Sequence, residues 1–253
     1  MDLKKRVIPN IKVINDVVYT TQKFRLNRVV GELNSIVEYF YYTQADEIIL
    51  CDISPKKNFN SFLKRIKKIS NKFSLPMSVG CSIETVDMAK KVMDSGADKI
   101  IVSSALFSSG YELINKIAKI FGSQSIQISV DYKIENSKYY LRKKSNNYSL
   151  KDLNEHIKQC NNNGAGEIIL NSVDRDGSKI GFDTEILNKL YFTNLPILLS
   201  GGCGYTYDIY KVFKYNISGV VCGTLFSFAN TSCIEINSYL QGYSFKAKNL
   251  KFD

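Results

Sequence analysis

The feature that most constrains this chain is an internal repeat with an offset of 120 positions. The run Glu-Ile-Ile-Leu occurs at 47–50 and again at 167–170. Two further apolar blocks keep the offset, and 7–13 lies over 126–132 at an offset one residue shorter. Apolar runs that recur as a block indicate two copies of one half-fold. In this superposition Lys12 is the counterpart of Asp131, so the halves differ in charge at a matching position.

Eight short runs rich in Val and Ile are typical of strands buried on both faces. They lie at 7–13, 47–52, 76–80, 99–103, 126–131, 167–172, 196–200 and 219–223. Segments with helical spacing separate them, for example the one that carries Phe62, Ile66, Ile69 and Phe73. This alternation predicts an α/β fold, a (β/α)8 TIM barrel built from two half-barrel repeats. We expect one domain over 1–253, with half-barrels at about 1–122 and 123–245.

Two local patterns concern the fifth strand–helix unit. Segment 134–148 reads as an insertion or hairpin after the fifth strand. Ser149-Leu150-Lys151-Asp152 has the form of a capping box and predicts the start of the fifth helix there.

The net charge of +10 raises the question of nucleic acid. Lysines concentrate on the predicted helix 58–73 and near the C-terminus, and no aromatic ladder interleaves with them. This favours solvated helix faces, with attraction of an anionic substrate or partner left open, and we expect no nucleic-acid partner. No run of about 18 apolar residues occurs, so we expect no membrane association and a cytoplasmic protein.

Cysteine and histidine usage limits the chemistry. The six cysteines include no close pair, which argues against a disulfide or zinc framework. The single histidine, His156, falls in a polar helix, so a Cys–His glutaminase site has almost no candidate. We expect no metal and no cofactor.

Functional residues of a barrel lie at the C-terminal ends of its strands. Glycines there let backbone N–H groups approach an anion, so Ser200-Gly201-Gly202 and Gly223-Thr224 predict a phosphate site. The alternative is that these glycines only turn the chain. The symmetry-related Gly80-Cys81-Ser82 and Ser103-Ser104 carry a weaker signal for a second phosphate. Two such sites would imply a substrate with a phosphate at each end.

The loop Asp174-Arg175-Asp176-Gly177 follows the sixth strand. With the glycine pairs and the half-barrel repeat, the chain resembles the cyclase subunit of imidazole glycerol phosphate synthase, the HisF family, over 6–245. Glu47 and the segments 96–99, 121–124 and 164–167 favour this branch over its sister isomerase. The resemblance implies that Asp176 and Gly177 belong to the substrate-binding set.

The resemblance also implies a separate HisH-like glutaminase that docks on the N-terminal face of the barrel and passes ammonia through it. The family's entrance ring matches Arg6, Glu47, Lys99 and Glu167, and the residue that contacts the glutaminase matches Asp98. Four charged residues of alternating sign can satisfy one another around the axis. The alternative is a salt-bridge plug with no passage.

The reaction centre departs from the family. The family uses one carboxylate at the end of strand one and another at the end of strand five as acid and base. Asp131 matches the second, but Lys12 stands at the first, and Thr20 stands where the family has a mobile lysine. Three roles for Lys12 stay open: an ion pair with Asp131, binding of an anion, or a lysine base or Schiff base.

Three functions follow from these observations. The favoured one is the synthase subunit of a glutamine-dependent amidotransferase, resembling divergent cyclase-like subunits of acetamidino-sugar and surface-polysaccharide biosynthesis. Its partners would be a glutaminase, a phosphorylated or otherwise anionic substrate and a third sugar amidotransferase protein. The runner-up is a genuine imidazole glycerol phosphate synthase cyclase, a lyase of histidine biosynthesis, and the third is a non-catalytic activator of a glutaminase.

Overall fold

The computed structural model describes residues 4–143, 147–191, 193–229, 231–243 and 245. Residues 1–3, positions 144–146 of the predicted insertion and the lysines at 246, 248 and 251 lie outside the described residues.

The strands and helices alternate along the chain. In chain order the strands are β1 (Arg6–Ile14), β2 (Val17–Gln22), β3 (Arg25–Glu32), β4 (Ile48–Asp52), β5 (Met77–Gly80), β6 (Lys99–Val102), β7 (Ile126–Glu135), β8 (Lys138–Arg142), β9 (Tyr148–Ser149), β10 (Glu167–Ser172), β11 (Ile197–Ser200) and β12 (Gly219–Cys222). The helices are α1 (Leu33–Tyr42), α2 (Phe59–Lys72), α3 (Val86–Asp94), α4 (Glu112–Phe121), α5 (Leu153–Asn162), α6 (Thr206–Val212), α7 (Thr224–Phe228) and α8 (Cys233–Gly242). No helix in the described part of the chain is both long and apolar enough to cross a membrane.

Eight of these strands form a closed parallel barrel. The order is β1, β4, β5, β6, β7, β10, β11 and β12, and β12 closes on β1 with Arg6 opposite Gly219. All eight predicted strands are therefore present, and the predicted (β/α)8 barrel is confirmed. The outward side chains of each strand pack under the helices; α2, for instance, buries Phe62, Ile66 and Ile69 as its spacing predicted.

Each half-barrel carries an antiparallel hairpin after its first strand. In the second half β7 runs on to Glu135 and pairs with β8, with Glu135 opposite Lys138, which confirms the predicted excursion. In the first half β2 pairs with β1 and β3, and Lys23 and Phe24 form the turn with φ of 50° and 62°. Positive φ at both central residues gives the twist that a tight hairpin needs. The first hairpin was not predicted, because Lys-Phe is not a turn signature.

The predicted start of the fifth helix was wrong. Ser149 lies in β9, where Leu141 of β8 is its partner. Asp152 is the N-cap of α5 instead, and its carboxylate accepts a hydrogen bond from the Glu155 backbone N–H at 2.8 Å. Because Ser149 pairs with β8, it cannot begin the helix. Asp152 is the next residue whose side chain can cap a helix, and the helix begins after it.

Candidate functional site

The interior of the barrel is arranged in layers because strand side chains alternate between its two faces. On β1 the inward residues are Arg6, Ile8, Asn10 and Lys12, read from the N-terminal floor to the C-terminal mouth. A middle layer is apolar and consists of Ile8, Ile49, Ile101, Ile169, Leu198 and Val221. Charged residues lie below this layer and the candidate reaction centre lies above it.

The four predicted ring residues meet at the floor. Arg6 donates hydrogen bonds to Glu47, at 2.8 Å, and to Glu167. The Lys99 ammonium lies 3.1 Å from Glu47 and 3.6 Å from Glu167. Burial alone would raise the pKa of Glu47, but Lys99 and Arg6 outweigh it and the pKa lies below its usual value. Each carboxylate therefore lies between two cationic side chains.

Two uncharged side chains complete this ring, and sequence reasoning missed both. Ser78 Oγ donates to Glu47 Oε1 at 2.7 Å. Gln127 Nε2 donates to Glu47 Oε1 at 3.1 Å and to Glu167 Oε2 at 2.7 Å. Gln127 lies four residues before Asp131, so the period of two along β7 was the signal that could have found it.

Lys12 at the mouth forms its ion pair with Asp176, a residue that was predicted to bind substrate and not to pair with Lys12. Its ammonium lies 2.8 Å from Asp176 Oδ1 and 2.5 Å from Thr21 Oγ1. No ion pair joins it to Asp131 in the described part of the chain, so of the three roles left open for Lys12 the pair with Asp131 is not the one that forms. The Asp176 carboxylate comes closer because the loop after β10 folds over the barrel onto the first hairpin.

Asp176 holds the first hairpin, β2–β3, in place through several hydrogen bonds. Its Oδ2 accepts from Thr21 Oγ1 at 2.6 Å and from the Phe24 N–H at 3.0 Å, and its backbone oxygen accepts from the Lys23 N–H at 3.0 Å. Burial alone would raise the pKa of Asp176, but the Lys12 ammonium and these donors hold it below its usual value. Thr20 is buried in β2, and its hydroxyl accepts from the Arg28 N–H at 3.3 Å. The residue at the position of the family's mobile lysine is therefore part of the sheet.

Asp131 has a different environment, made of neutral donors. Its carboxylate accepts hydrogen bonds from Ser129 Oγ at 2.8 Å, Asn171 Nδ2 at 2.9 Å and Ser103 Oγ at 3.2 Å. Neutral donors orient a carboxylate without neutralising it. Asp131 can therefore accept a proton from a bound molecule or face a cationic one.

The larger of two cavities at the mouth has a volume of about 370 Å³. It is lined by Lys12, Asp131 and all the predicted first-half loop residues, Gly80, Cys81, Ser82, Ser103 and Ser104. Lys57 and Arg142 add cationic side chains to the same lining. The arrangement fits an anionic molecule rich in hydroxyl groups, since cations, hydroxyls and backbone N–H groups converge on it.

The smaller cavity, about 70 Å³, lies over the second-half loops. The predicted residues that line it are Asp176, Gly177, Ser200, Gly201, Gly202, Gly223 and Thr224. Gly201 and Gly202 have φ of +93° and +98°, and a Cβ on Gly202 would lie 2.1 Å from the Gly181 oxygen. Both positions therefore require glycine. Because glycine has no side chain, an anion can approach the backbone N–H groups of this loop closely.

The two cavities share Asn10 and Lys12, so the sites predicted from the two halves lie on either side of one mouth. Asn10 was missed by sequence reasoning, as were Ser129 and Asn171. Each of the three lies two or four positions from a predicted inward residue on the same strand, so the alternation of side chains along the strand could have identified it.

Asp98 lies at the opposite end of the barrel, beside the floor ring. It is exposed, and its Oδ2 accepts from the Met77 N–H at 2.8 Å. The side chain therefore has a fixed orientation on the N-terminal face, next to Lys99.

Comparison with known proteins finds similarity to one family over nearly the whole chain. A family model described as histidine biosynthesis protein matches residues 6–232. The chain is 31% identical over 244 residues to the imidazole glycerol phosphate synthase subunit HisF of Dictyoglomus thermophilum, covering 94% of this chain and 96% of that protein. It is 32% identical over 243 residues to the subunit of the same name from Natranaerobius thermophilus, with 94% and 96% covered. A third such subunit, from Lactococcus lactis subsp. lactis, is 32% identical over 256 residues, with 98% of both chains covered. The chain therefore belongs to the histidine biosynthesis protein family and is a HisF-like subunit.

Proposed function

We propose that this chain is the ammonia-accepting synthase subunit of a glutamine-dependent amidotransferase, and that its mouth does not perform the ring closure of an imidazole glycerol phosphate synthase. The observation that carries the proposal is Lys12, whose ammonium lies 2.8 Å from Asp176 at the position of the expected first carboxylate. The Lys12 side chain is engaged by the Asp176 carboxylate and the Thr21 hydroxyl, and β1 supplies no carboxylate that could act together with Asp131.

The floor of the barrel supports the ammonia-accepting role. Arg6, Lys99, Glu47 and Glu167 form a ring around the axis, and an apolar layer lies directly above it. Burying an ion costs several kcal/mol, so such a layer admits a neutral amine far better than ammonium. In this proposal a HisH-like glutaminase docks on the N-terminal face, near Asp98.

The mouth supports an altered reaction on an anionic sugar. Proton transfer between two groups requires an acid and a base with separated pKa values, and Asp131 remains without a partner carboxylate on β1. Both cavities combine cationic side chains or glycine-loop N–H groups with hydroxyl and amide groups. Guided by the resemblance to subunits of acetamidino-sugar biosynthesis, we assign the acceptor to sugar modification for surface polysaccharide, with a third amidotransferase protein.

The proposal is tested first by cyclase turnover of the purified chain. The assay supplies the phosphoribulosyl-formimino substrate and an ammonium salt at alkaline pH, so that no glutaminase is needed. Because losing one of two acid/base groups costs ~10²–10⁴-fold, we expect turnover at least ~100-fold below a typical enzyme. Lys12→Asp should restore part of it.

Turnover within about tenfold of a typical ~10 s⁻¹ would refute the altered reaction. It would identify the chain as a genuine cyclase, the second candidate, which the near full-length similarity to subunits named imidazole glycerol phosphate synthase favours.

The partner is tested by titrating the chain into a HisH-type glutaminase from the same organism and measuring glutamine hydrolysis. Asp98→Asn should weaken the complex by about 0.5–1 kcal/mol, a rise in Kd of roughly two- to fivefold, because the charge lies at the rim of the docking face. Asp94→Asn is the matched control, since Asp94, the last residue of α3, is also an exposed acid and lies four positions before Asp98. Equal effects of the two substitutions would contradict the role of Asp98. Stimulated hydrolysis without any binding of inorganic phosphate at the mouth would favour a non-catalytic activator.

A further inference from the structure

We propose that the Oε1 atom of Gln127 is an ammonia-binding acceptor at the centre of the floor ring. This inference rests on the proposed function, because it names the residue that holds ammonia as it enters the barrel. The starting observation is that Gln127 is fully buried and that its Oε1 has no hydrogen-bond partner among the residues that the structure describes.

The orientation of the Gln127 amide is determined by its neighbours. Nε2 donates to Glu47 Oε1 and to Glu167 Oε2, at 3.1 and 2.7 Å. Turning the amide over would place its oxygen against the two carboxylates that form ion pairs with Arg6 and Lys99. Oxygen against carboxylate is repulsive, so the amide stays as it is and Oε1 points away from both acids.

A buried carbonyl oxygen without a donor carries a free-energy cost, because folding has removed the water that bound it in the unfolded chain. The ring offers no further donor to Oε1. The apolar layer above it consists of Ile, Leu and Val side chains that cannot donate, and the hydroxyl of Ser129, the next inward residue of β7, donates to Asp131 instead. The cost is removed by a small molecule with N–H or O–H groups, and ammonia carries three N–H groups.

The charge of the ring selects the neutral amine. Arg6 and Lys99 carry one positive charge each, and Glu47 and Glu167 one negative charge each, so these four residues sum to zero. A ring with no net negative charge gives ammonium no advantage that would offset its dehydration. An amide, in addition, does not titrate, so Gln127 remains an acceptor at any pH at which the protein is folded.

The test is a titration of the isolated chain with ammonia, observed at glutamine side-chain amides by nitrogen-15 NMR. The Gln127 amide signal is assigned through bonds to its own backbone, so no variant has to fold. The probe is ammonium chloride at alkaline pH, where much of it is ammonia, and the same salt at neutral pH, where it is almost entirely ammonium. Potassium chloride at equal concentration controls for ionic strength. The Gln124 amide is the internal control, because Gln124 is exposed on the preceding turn.

We expect a saturable shift of the Gln127 amide with ammonium chloride at alkaline pH. That shift should be absent at neutral pH, absent with potassium chloride and absent at Gln124. No shift, or one that potassium chloride reproduces, would overturn the inference and indicate that Oε1 holds a resident water. Because no glutaminase is present, this failure is distinct from failure of the proposed function, which the titration with the glutaminase decides.

Discussion

Removing the Lys12 ammonium should destabilise the protein through the carboxylate it leaves behind. The side chains of Lys12 and Asp176 are 14% and 9% exposed, with 2.8 Å between Nζ and Oδ1. At an effective dielectric constant of ~20 their gross attraction is ~6 kcal/mol, most of which offsets the cost of dehydrating both groups. Lys12→Met keeps the length and apolar stem of the side chain but leaves Asp176 with neutral donors. Breaking a buried ion pair costs ~3–5 kcal/mol. Because this pair borders the mouth cavity, we expect Lys12→Met to lower the free energy of unfolding by the smaller amount, ~3 kcal/mol.

The measurement is urea unfolding at pH 7. With a slope of ~3 kcal/mol/M, the midpoint of Lys12→Met should fall by about 1 M. Lys12→Met combined with Asp176→Asn removes both charges and should recover about 2 kcal/mol of this loss. The matched control is Lys211→Met, because Lys211 also pairs with a largely buried acid, Asp208, but is itself 52% exposed. An exposed lysine contributes little, so this control should change stability by less than ~1 kcal/mol.

The pH dependence of the free energy of unfolding tests the same ion pair independently. The pKa of Asp176 lies below its ordinary value of 3.8, so the stability that the ionised carboxylate contributes is present above that pH and is lost as pH falls through the folded value. Lys12→Met removes the charge that contributes most to lowering this pKa, so the loss of stability on acidification should be smaller than in the parent. The reasoning is refuted if Lys12→Met unfolds within ~0.5 kcal/mol of the parent, or if the double variant is as unstable as the sum of the single ones.

Three further predictions concern other parts of the barrel. Burial, and to a smaller extent the charge of Lys151, lowers the pKa of His156 from 6.5 to about 4. The free energy of unfolding should therefore fall by ~2 kcal/mol between pH 7 and pH 5. In urea titrations His156→Phe should lack this dependence on pH. Gly202→Ala should cost more than ~2 kcal/mol and weaken binding of inorganic phosphate, because its φ is +98° and its Cβ would overlap a backbone oxygen. Gly110→Ala, at φ +71° with open space, should cost only about 1 kcal/mol in the same unfolding assay. Tyr132→Phe removes the donor, at 2.9 Å, of a hydrogen bond to buried Asp183 and should cost ~1–3 kcal/mol; an unchanged thermal midpoint would contradict this.

Much of the fold could be predicted because its signals are local. Strands buried on both faces are continuous apolar runs, so their number and order, and hence the barrel, could be read without any long-range information. The first hairpin escaped because its turn, Lys23-Phe24, adopts positive φ with residues that rarely do so. Ser149 was misassigned because the strand that includes it forms only by pairing with β8.

The candidate site divides in the same way. The repeat by itself determined that Lys12 and Asp131 occupy equivalent inward positions at the mouth, because alternation along a strand is a property of the chain alone. Only the tertiary structure decided that Lys12 pairs with Asp176, which is 164 residues away, and that Gln127 joins two acids of the floor ring. Distances across a barrel depend on the register of all its strands and on how the loops fold over its mouth. Neither is set by any local pattern of residues.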